Sequence, residues 1–183
     1  MSVDTSYEAN IDEAVELTSN ALLHTPSYVE MFRGTDEQRL YVMKYFMRKN
    51  FDMINSKNPE AIHFIVGEDG ELDCFFMLTT NAKAHPTWWD KLAFLVIPFV
   101  CGFDSVWRLL QMEKVSSAHH KEAMEGYSEY LCLQRMAVTP SKQGQGIGTR
   151  HLKQALRDTA DKLQLPVMLS TQEKRNVVFY ERL

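Results

Sequence analysis

Three glycines, Gly144, Gly146 and Gly148, alternate with other residues shortly after an apolar segment that ends at Val138. We expect a strand up to Val138, then a glycine-rich loop, then a helix that begins near Ile147. The first main-chain N–H groups of a helix have no partners within it, and the helix dipole adds partial positive charge there. Because glycine lets the backbone approach a ligand closely, this arrangement predicts an anion site suited to a pyrophosphate.

Two common phosphate-binding motifs do not fit these residues. The dinucleotide fingerprint GxGxxG requires a third glycine, but Thr149 or His151 occupies that position, depending on which glycine is taken first. The Walker sequence, which has Gly-Lys-Ser/Thr after four free positions, is absent. A structural alternative also exists, since glycine-rich turns at strand–helix junctions often only close the turn.

This segment resembles the coenzyme A (CoA) loop of the GNAT family of N-acetyltransferases. The pattern of that family is Gln/Arg-x-x-Gly-x-Gly/Ala, and it is preceded by a strand that ends in Val-x-Pro. Gln143, Gly146 and Gly148 match the loop, while Val138 and Pro140 match the end of the strand.

The resemblance continues downstream of the loop. Residues 166–171 are similar to the fifth strand of the family, and residues 176–183 are similar to its next helix, with Asn176 and Tyr180 in the usual places. It is clear over residues 130–183 and only topological before them. It implies an α/β fold (a mixed α+β sheet) of the GNAT-like acyl-CoA N-acyltransferase type.

In that family the acceptor amine attacks the thioester directly, and pantetheine lies in a gap beside the strand that precedes the loop. The resemblance implies that the N–H of Met136 stabilises the oxyanion and that Tyr180 protonates the departing CoA thiolate. For Tyr180, a core position beside Phe179 is the structural alternative. The residues that the resemblance assigns to CoA binding are Met136, Ala137, Val138, Gln143, Gly144, Gln145, Gly146, Ile147, Gly148, Thr149 and Asn176.

The general base is left open by the sequence. Some family members place a glutamate on the fourth strand where this chain has Cys132, which we expect to be a buried structural thiol. Glu129, Tyr130 and the adjacent His119 and His120 are other candidates, and a chain of water molecules is a further alternative. The two histidines also fit a solvated helix end.

Composition favours one soluble domain. The chain has 183 residues, of which 45% are apolar and 24% are charged. Its net charge of −4 gives no support for a strong nucleic-acid binder, because phosphate neutralisation needs a clustered basic face. Three cysteines without CxxC spacing favour reduced thiols over disulfides or a zinc site.

No signal peptide is visible, and the most apolar stretch, residues 92–101, is shorter than the about 20 residues of a spanning helix. We therefore expect a cytoplasmic protein with no metal, no nucleic-acid partner and no membrane partner. The sequence leaves its oligomeric state open.

The apolar periodicity predicts the order helix, helix, hairpin, helical insert, strand, helix, strand, helix. Thr35 and Gln38 form a capping box at the second helix, and Asp69-Gly70 marks the hairpin turn. The helix after the loop should bury Leu152, Ala155, Leu156, Ala160 and Leu163. The predicted helices span 11–23, 104–124, 146–163 and 176–183, with another starting at Thr35, and the predicted strands span 61–66, 72–79, 129–138 and 166–169.

Residues 83–126 form the helical insert of what we expect to be a single GNAT-like domain over residues 1–183. Thr87 is expected to cap a first helix in this insert, and Pro98 to kink or end it. Packing on the sheet is the favoured interpretation of the insert, and a wall or lid over the acceptor site is the alternative. The aromatic residues concerned are Trp88, Trp89, Phe94, Phe99, Phe103 and Trp107.

The family normally continues past the Tyr180 helix with two more strands, whereas this chain stops at Leu183. We expect the fold to lack those strands, whose absence would expose a sheet edge. Truncation is the favoured explanation; a second chain that supplies the strands and a protein that is not a competent enzyme are the alternatives.

The expected function is transfer of an acetyl group from acetyl-CoA, used as a co-substrate, to a primary amine of a small molecule or protein. The alternative is a catalytically silent acyl-CoA-binding module with a regulatory role. A plain structural α/β domain, in which the loop only turns the chain, is a third hypothesis.

Overall fold

The computed structural model of the chain describes residues 3–4, 7–81, 98–99 and 102–183. Within these ranges, no helix combines the length and the hydropathy needed to cross a membrane. The helices are α1 (Tyr7–Leu22), α2 (Pro26–Met31), α3 (Asp36–Lys57), α4 (Phe103–Ala123), α5 (Ile147–Leu156) and α6 (Lys174–Tyr180), and the strands are β1 (Val3–Asp4), β2 (Ile62–Val66), β3 (Leu72–Thr80), β4 (Leu131–Val138) and β5 (Val167–Leu169).

The strands form one five-stranded sheet in the order β1-β2-β3-β4-β5. Neighbouring strands are antiparallel, except that β5 runs parallel to β4. The β2–β3 turn closes as its sequence predicts, since the Gly67 N–H donates to the Glu71 carbonyl over 2.9 Å and Gly70 has a φ of 82°. A mixed sheet covered by helices confirms the predicted α/β fold class.

The two faces of the sheet carry separate apolar cores. The first core joins α1 and α3 to strand residues such as Phe75 and Met77. The second core joins α5 and the end of α6 to strand residues such as Cys74 and Phe76. This division follows from strand geometry, because successive side chains point to opposite faces.

Helix α2 is absent from the prediction. Pro26 follows the end of α1 at Leu22 and also occupies the first position of α2, where its missing N–H costs nothing. A helix of 6 residues also carries too little periodicity to be recognised.

The predicted burial of Leu163 is wrong, since 62% of this residue is exposed. Helix α5 passes into a π-helical turn at Arg157–Asp161 before it reaches Leu163. A π turn contains more residues than an α turn, so the residues after it rotate away from the face that a 3.6-residue period predicts.

The predicted helix at 104–124 is confirmed by α4. Its aromatic residues do not pack on the sheet as favoured, because Phe103 is 74% exposed and Trp107 is 63% exposed. The opposite side of α4 contacts the body, where Leu109 and Met112 pack against the first core. Phe99 is likewise exposed, while the predicted cap at Thr87 and the aromatic residues Trp88, Trp89 and Phe94 lie outside the described residues.

Thr35 and Thr25 both occupy N-cap positions, but only Thr35 caps with its side chain. The Gln38 N–H donates to Thr35 Oγ1 over 3.3 Å, and the Thr35 N–H donates to Gln38 Oε1 over 3.1 Å, whereas Thr25 makes no side-chain capping bond. We expect Thr35→Ala to lower the free energy of unfolding by about 1 kcal/mol, and Thr25→Ala to lower it much less. Urea unfolding of both variants measures the difference, and equal losses would contradict the capping assignment.

Candidate active site

Strand β5 pairs over its whole length with the first three residues of β4. Leu131–Leu133 stand opposite Val167–Leu169, and the Leu131 N–H donates to the Pro166 carbonyl over 2.9 Å. Strand β4 then continues to Val138 without a β5 partner. The two strands therefore separate towards the glycine-rich loop and leave one edge of β4 open there.

A β-bulge at Gln134 interrupts the pairing of β4 with β3. Leu133 stands opposite Leu78 and Arg135 stands opposite Met77, so Gln134 is the extra residue. Since a bulge adds one residue to one strand, it reverses which of the following N–H groups point at each neighbouring strand.

The N–H groups of Met136 and Val138 point at the open edge of β4. The Thr139 N–H donates to the Asp73 carbonyl over 2.9 Å. N–H groups of alternate residues in an antiparallel pair point at the same neighbour, so the Ala137 N–H also points at β3. The intervening Met136 and Val138 N–H groups therefore face the gap between β4 and β5.

The loop after β4 presents a row of main-chain N–H groups without acceptors. Among the described residues, none accepts a hydrogen bond from the N–H groups of Gly144–Thr149, and the first bond of α5 joins the Arg150 N–H to the Gly146 carbonyl over 3.0 Å. No side chain caps α5 at Gly146. These donors lie at the positive end of the helix dipole and suit the oxygen atoms of a pyrophosphate.

Gln143 lies beside this row but uses its donors within the loop. Its Nε2 donates to the Val138 carbonyl over 3.0 Å, and its main-chain N–H donates to the Pro140 carbonyl over 3.3 Å. Gln145 Nε2 similarly donates to the Ser141 carbonyl over 3.1 Å. The two glutamine side chains therefore brace the loop.

The three glycines of the loop have two different structural roles. Gly144 and Gly146 have φ values of 76° and 75°, a region that other residues adopt only with strain, and an added β-carbon would meet nothing within 4 Å. At Gly148 an added β-carbon would lie 2.5 Å from Met136 Cε and 3.0 Å from Val138 Cγ2. Gly148 therefore allows α5 to pack closely on β4.

Lys142 ties the loop to the β2–β3 turn. Its Nζ lies 2.9 Å from Asp69 Oδ2 and 3.2 Å from Oδ1 of the buried Asp73. The hydrogen bond with Lys142 lowers the pKa of Asp69, and the two carboxylates raise the pKa of Lys142. The ammonium group is thus held by carboxylates and is not free to bind a phosphate.

The sequence alone assigns no role to Lys142. Asp69 precedes it by 73 positions, so no local spacing signals the contact. The only sequence signal is a lysine inside a loop that already suits an anion.

Tyr180, at the end of α6, is half-buried in the second core. Its ring centroid lies 5.0 Å from that of Phe179. Burial, and to a smaller extent the neighbouring Cys74, raise the pKa of Tyr180, so the phenol stays protonated at neutral pH. Met136 and Val138 pack against the same core. In this place Tyr180 can serve either as an aromatic residue of the core or as a proton donor beside the open edge of β4.

Asn176 lies one helical turn before Tyr180. Its Nδ2 donates to Thr171 Oγ1 over 3.2 Å. This bond joins the first turn of α6 to the segment that follows β5, on the far side of the gap.

Of the candidate bases on β4, Cys132 is buried, and burial raises its thiol pKa to about 11. Cys132 is therefore a neutral, buried thiol with a structural role, as the sequence predicts. Tyr130 and Glu129 precede the strand, and about 20 Å of strand separates Tyr130 from Met136 at about 3.3 Å per residue. That distance is too long for direct proton transfer.

The two candidate histidines lie near the end of α4. His119 is exposed, and His120 Nε2 lies 3.4 Å from Ser116 Oγ within the same helix. This arrangement fits the solvated helix end that the sequence left open. In the described part of the chain, no three His, Cys, Asp or Glu side chains converge as a metal site requires.

Comparison with known proteins adds a family match and a fold match. Residues 106–183 match the family model described as Acetyltransferase (GNAT) domain. None of the curated proteins matches the sequence significantly. The match to the family model confirms the resemblance seen in the loop and in the segments after it.

Among solved structures, a histone acetyltransferase HPA2 and related acetyltransferase from Corynebacterium glutamicum is similar at a TM-score of 0.58 and 14% identity, over 99% of this chain and 81% of that chain. Naa20 of Chaetomium thermophilum with a bisubstrate analogue has a TM-score of 0.41 and 14% identity, over 89% and 63%. A mosquito arylalkylamine N-acetyltransferase like 5b has a TM-score of 0.42 and 12% identity, over 93% and 77%. The first similarity alone is high enough to indicate a shared fold.

The link between Lys142 and Asp69 generates a prediction about the loop. We expect Lys142→Met and Asp69→Asn each to raise the Kd for acetyl-CoA about three- to tenfold, because binding must then order the loop. Removing the negative charge of Asp69 would by itself strengthen the binding of phosphates. The sign of the Asp69→Asn effect, measured by calorimetry, therefore distinguishes bracing of the loop from a simple charge effect.

The matched control is Lys162→Met, which removes a lysine whose Nζ lies 2.8 Å from Asp158 Oδ1. Both residues lie after α5 in the sequence. This variant loses one positive charge and one ion pair but no contact with the loop. We expect its Kd to equal that of the unaltered protein. Tighter binding by Asp69→Asn would instead show the simple charge effect and contradict bracing of the loop by this ion pair.

Proposed function

We propose that this chain transfers an acetyl group from acetyl-CoA to a primary amine. It is an acyltransferase, since residues 106–183 match the GNAT acetyltransferase domain and the chain has that fold. The observation that carries the proposal is the row of unpaired N–H groups of Gly144–Thr149 beside the open edge of β4. CoA needs both features in succession, because its diphosphate needs a row of N–H donors and its extended pantetheine needs an open strand edge. We further propose a single domain over residues 1–183.

The main chain supplies most of the binding contacts in this proposal. The N–H groups of Gly144–Thr149 hold the pyrophosphate, and Gln143 keeps the loop in place through the Val138 carbonyl. The Met136–Val138 segment pairs with the amide groups of pantetheine in the manner of an added strand. Asn176 contributes from the other side of the gap.

The reaction follows from these placements. The amine nitrogen attacks the thioester carbonyl carbon, and the Met136 N–H stabilises the negative charge that develops on the carbonyl oxygen. The carbon–sulfur bond then breaks, and the Tyr180 hydroxyl gives its proton to the departing thiolate. The attacking nitrogen loses its proton to water, since the candidate side-chain bases lie away from the gap or are neutral.

Two buried, unpaired thiols, Cys74 and Cys132, suit a reducing compartment. We therefore propose a cytoplasmic location. The acceptor is an amine of a small molecule or of a protein, and the proposal requires neither nucleic acid nor membrane.

Binding of acetyl-CoA is tested by thermal unfolding. A ligand that binds only the folded state at a hundredfold excess over its Kd adds about 2.7 kcal/mol of stability, so we expect the unfolding midpoint to rise. We expect Gly146→Val to abolish this rise, because a side chain there projects from the N–H row. Gly126→Val is the control, since Gly126 has a similar φ of 90° and similarly open surroundings after α4. An acetyl-CoA effect that Gly146→Val does not alter would contradict the assigned site.

The role of Tyr180 is tested by thiol release in the presence of a panel of amines. We expect Tyr180→Phe to lower kcat about 10²- to 10⁴-fold, with little change in the KM for acetyl-CoA. Tyr127→Phe, on the exposed segment after α4, is the control. Because the pKa of Tyr180 is raised, the acid form persists to higher pH than an ordinary tyrosine, and activity falls only as pH rises through that pKa.

Unaltered turnover by Tyr180→Phe would exclude this residue as the acid. Binding of acetyl-CoA without thiol release for any amine would instead favour the silent acyl-CoA-binding module.

A further inference from the structure

Arg135 carries a half-buried positive charge directly before Met136. Its neighbour Ala137 packs against the first core, so alternation places the Arg135 side chain on the face of α1 and α3. One guanidinium nitrogen, Nη1, donates to Asn50 Oδ1 on α3. This face is opposite to that of α5, Tyr180 and the loop.

No carboxylate in the described part of the chain compensates this charge. Among the described residues Arg135 has no ion-pair partner, and its buried Nε has no hydrogen-bond acceptor. Three carboxylates on α1 and α3 are paired with other cations: Asp12 and Asp52 contact Arg48, and Glu16 contacts Lys44.

An arginine in this state is energetically unfavourable by itself. Removing a guanidinium from water without an anionic partner costs free energy that one neutral amide only partly offsets. Asn50 Oδ1 is used by Arg135, which leaves Asn50 Nδ2 as a second donor without an acceptor among the described residues. Two adjacent donors of this kind suit a carboxylate, whose oxygen atoms match the planar guanidinium fork.

The position of Arg135 relates this carboxylate to the reaction. The Met136 N–H faces the gap, and the loop and Tyr180 occupy the α5 side of the sheet. A nucleophile must approach the thioester carbonyl from the side that CoA leaves open, which is the side of α1 and α3. On that side the side chain nearest in sequence to the Met136 N–H is that of Arg135, one residue before it.

We propose that Arg135 and Asn50 bind a carboxylate of the acceptor, so that the acceptor class is an amine that also carries a carboxylate group. This inference rests on the proposed acetyltransferase function and adds its substrate class. The carboxylate belongs either to a free amino acid or to an acidic residue near the terminus of a peptide, since both present the same group.

The test uses acceptor pairs that differ only in the carboxylate: ornithine with putrescine, and 4-aminobutyrate with butylamine. A second arm compares peptides that begin Ser-Asp and Ser-Asn. We expect kcat/KM to favour the carboxylate-bearing member by about 10²-fold in at least one pair, the size of effect that loss of a buried charge partner produces. A preference confined to the peptide pair identifies a protein acceptor, and one confined to the small amines identifies a free amino acid.

Arg135→Gln should bring that ratio close to one, and Asn50→Ala should reduce it partly. Arg108→Gln is the matched control, since Arg108 is a comparably buried arginine that is already paired with Asp104; its ratio should equal that of the unaltered protein. A purely structural role of Arg135 would lower stability without changing the ratio.

Two results separate the possible failures. If acetyl-CoA raises the unfolding midpoint and amines are acetylated, but no pair shows a preference for the carboxylate, this inference is overturned while the proposed function stands. If acetyl-CoA has no effect on unfolding and no thiol is released, the proposed function itself is overturned.

Discussion

The structure depends on the pairing of β4, whose main-chain N–H and C=O groups must find partners wherever water is excluded. Strand β3 satisfies one edge of β4 to its end, but β5 leaves the other edge after Leu133. Among the described residues, the N–H groups of Met136 and Val138 therefore stay available, and the N–H row of Gly144–Thr149 begins a few residues later. The candidate site is built chiefly from main chain, and side chains give it shape.

The shape of the site comes from contacts that reach across the sequence. Gly148 brings α5 close to β4 because a β-carbon there would meet Met136 and Val138. Lys142 joins the loop to the β2–β3 turn, so the loop is held at its start by an ion pair and at its end by close packing. Rigid placement before ligand binding lowers the entropy that binding must overcome.

The parts of the fold that local spacing determines were predictable from the sequence. The capping box at Thr35, the turn at Gly70 and the strand–loop–helix order all depend on residues a few positions apart. Features set by distant partners were not predictable. Two such features become visible only when the strands and helices are assembled: the pairing of Lys142 with Asp69, and the lack of an anion beside Arg135 within the described ranges.

The bulge at Gln134 connects the two halves of the proposed reaction. A one-residue change in register moves every following side chain to the other face of a strand and every following N–H to the other edge. With the bulge, Arg135 faces α3 while the Met136 N–H faces the gap. Without it, the arginine would enter the second core and the Met136 N–H would be used by β3. The proposed acceptor site and the proposed oxyanion site therefore depend on the same inserted residue, although they lie on different sides of the strand.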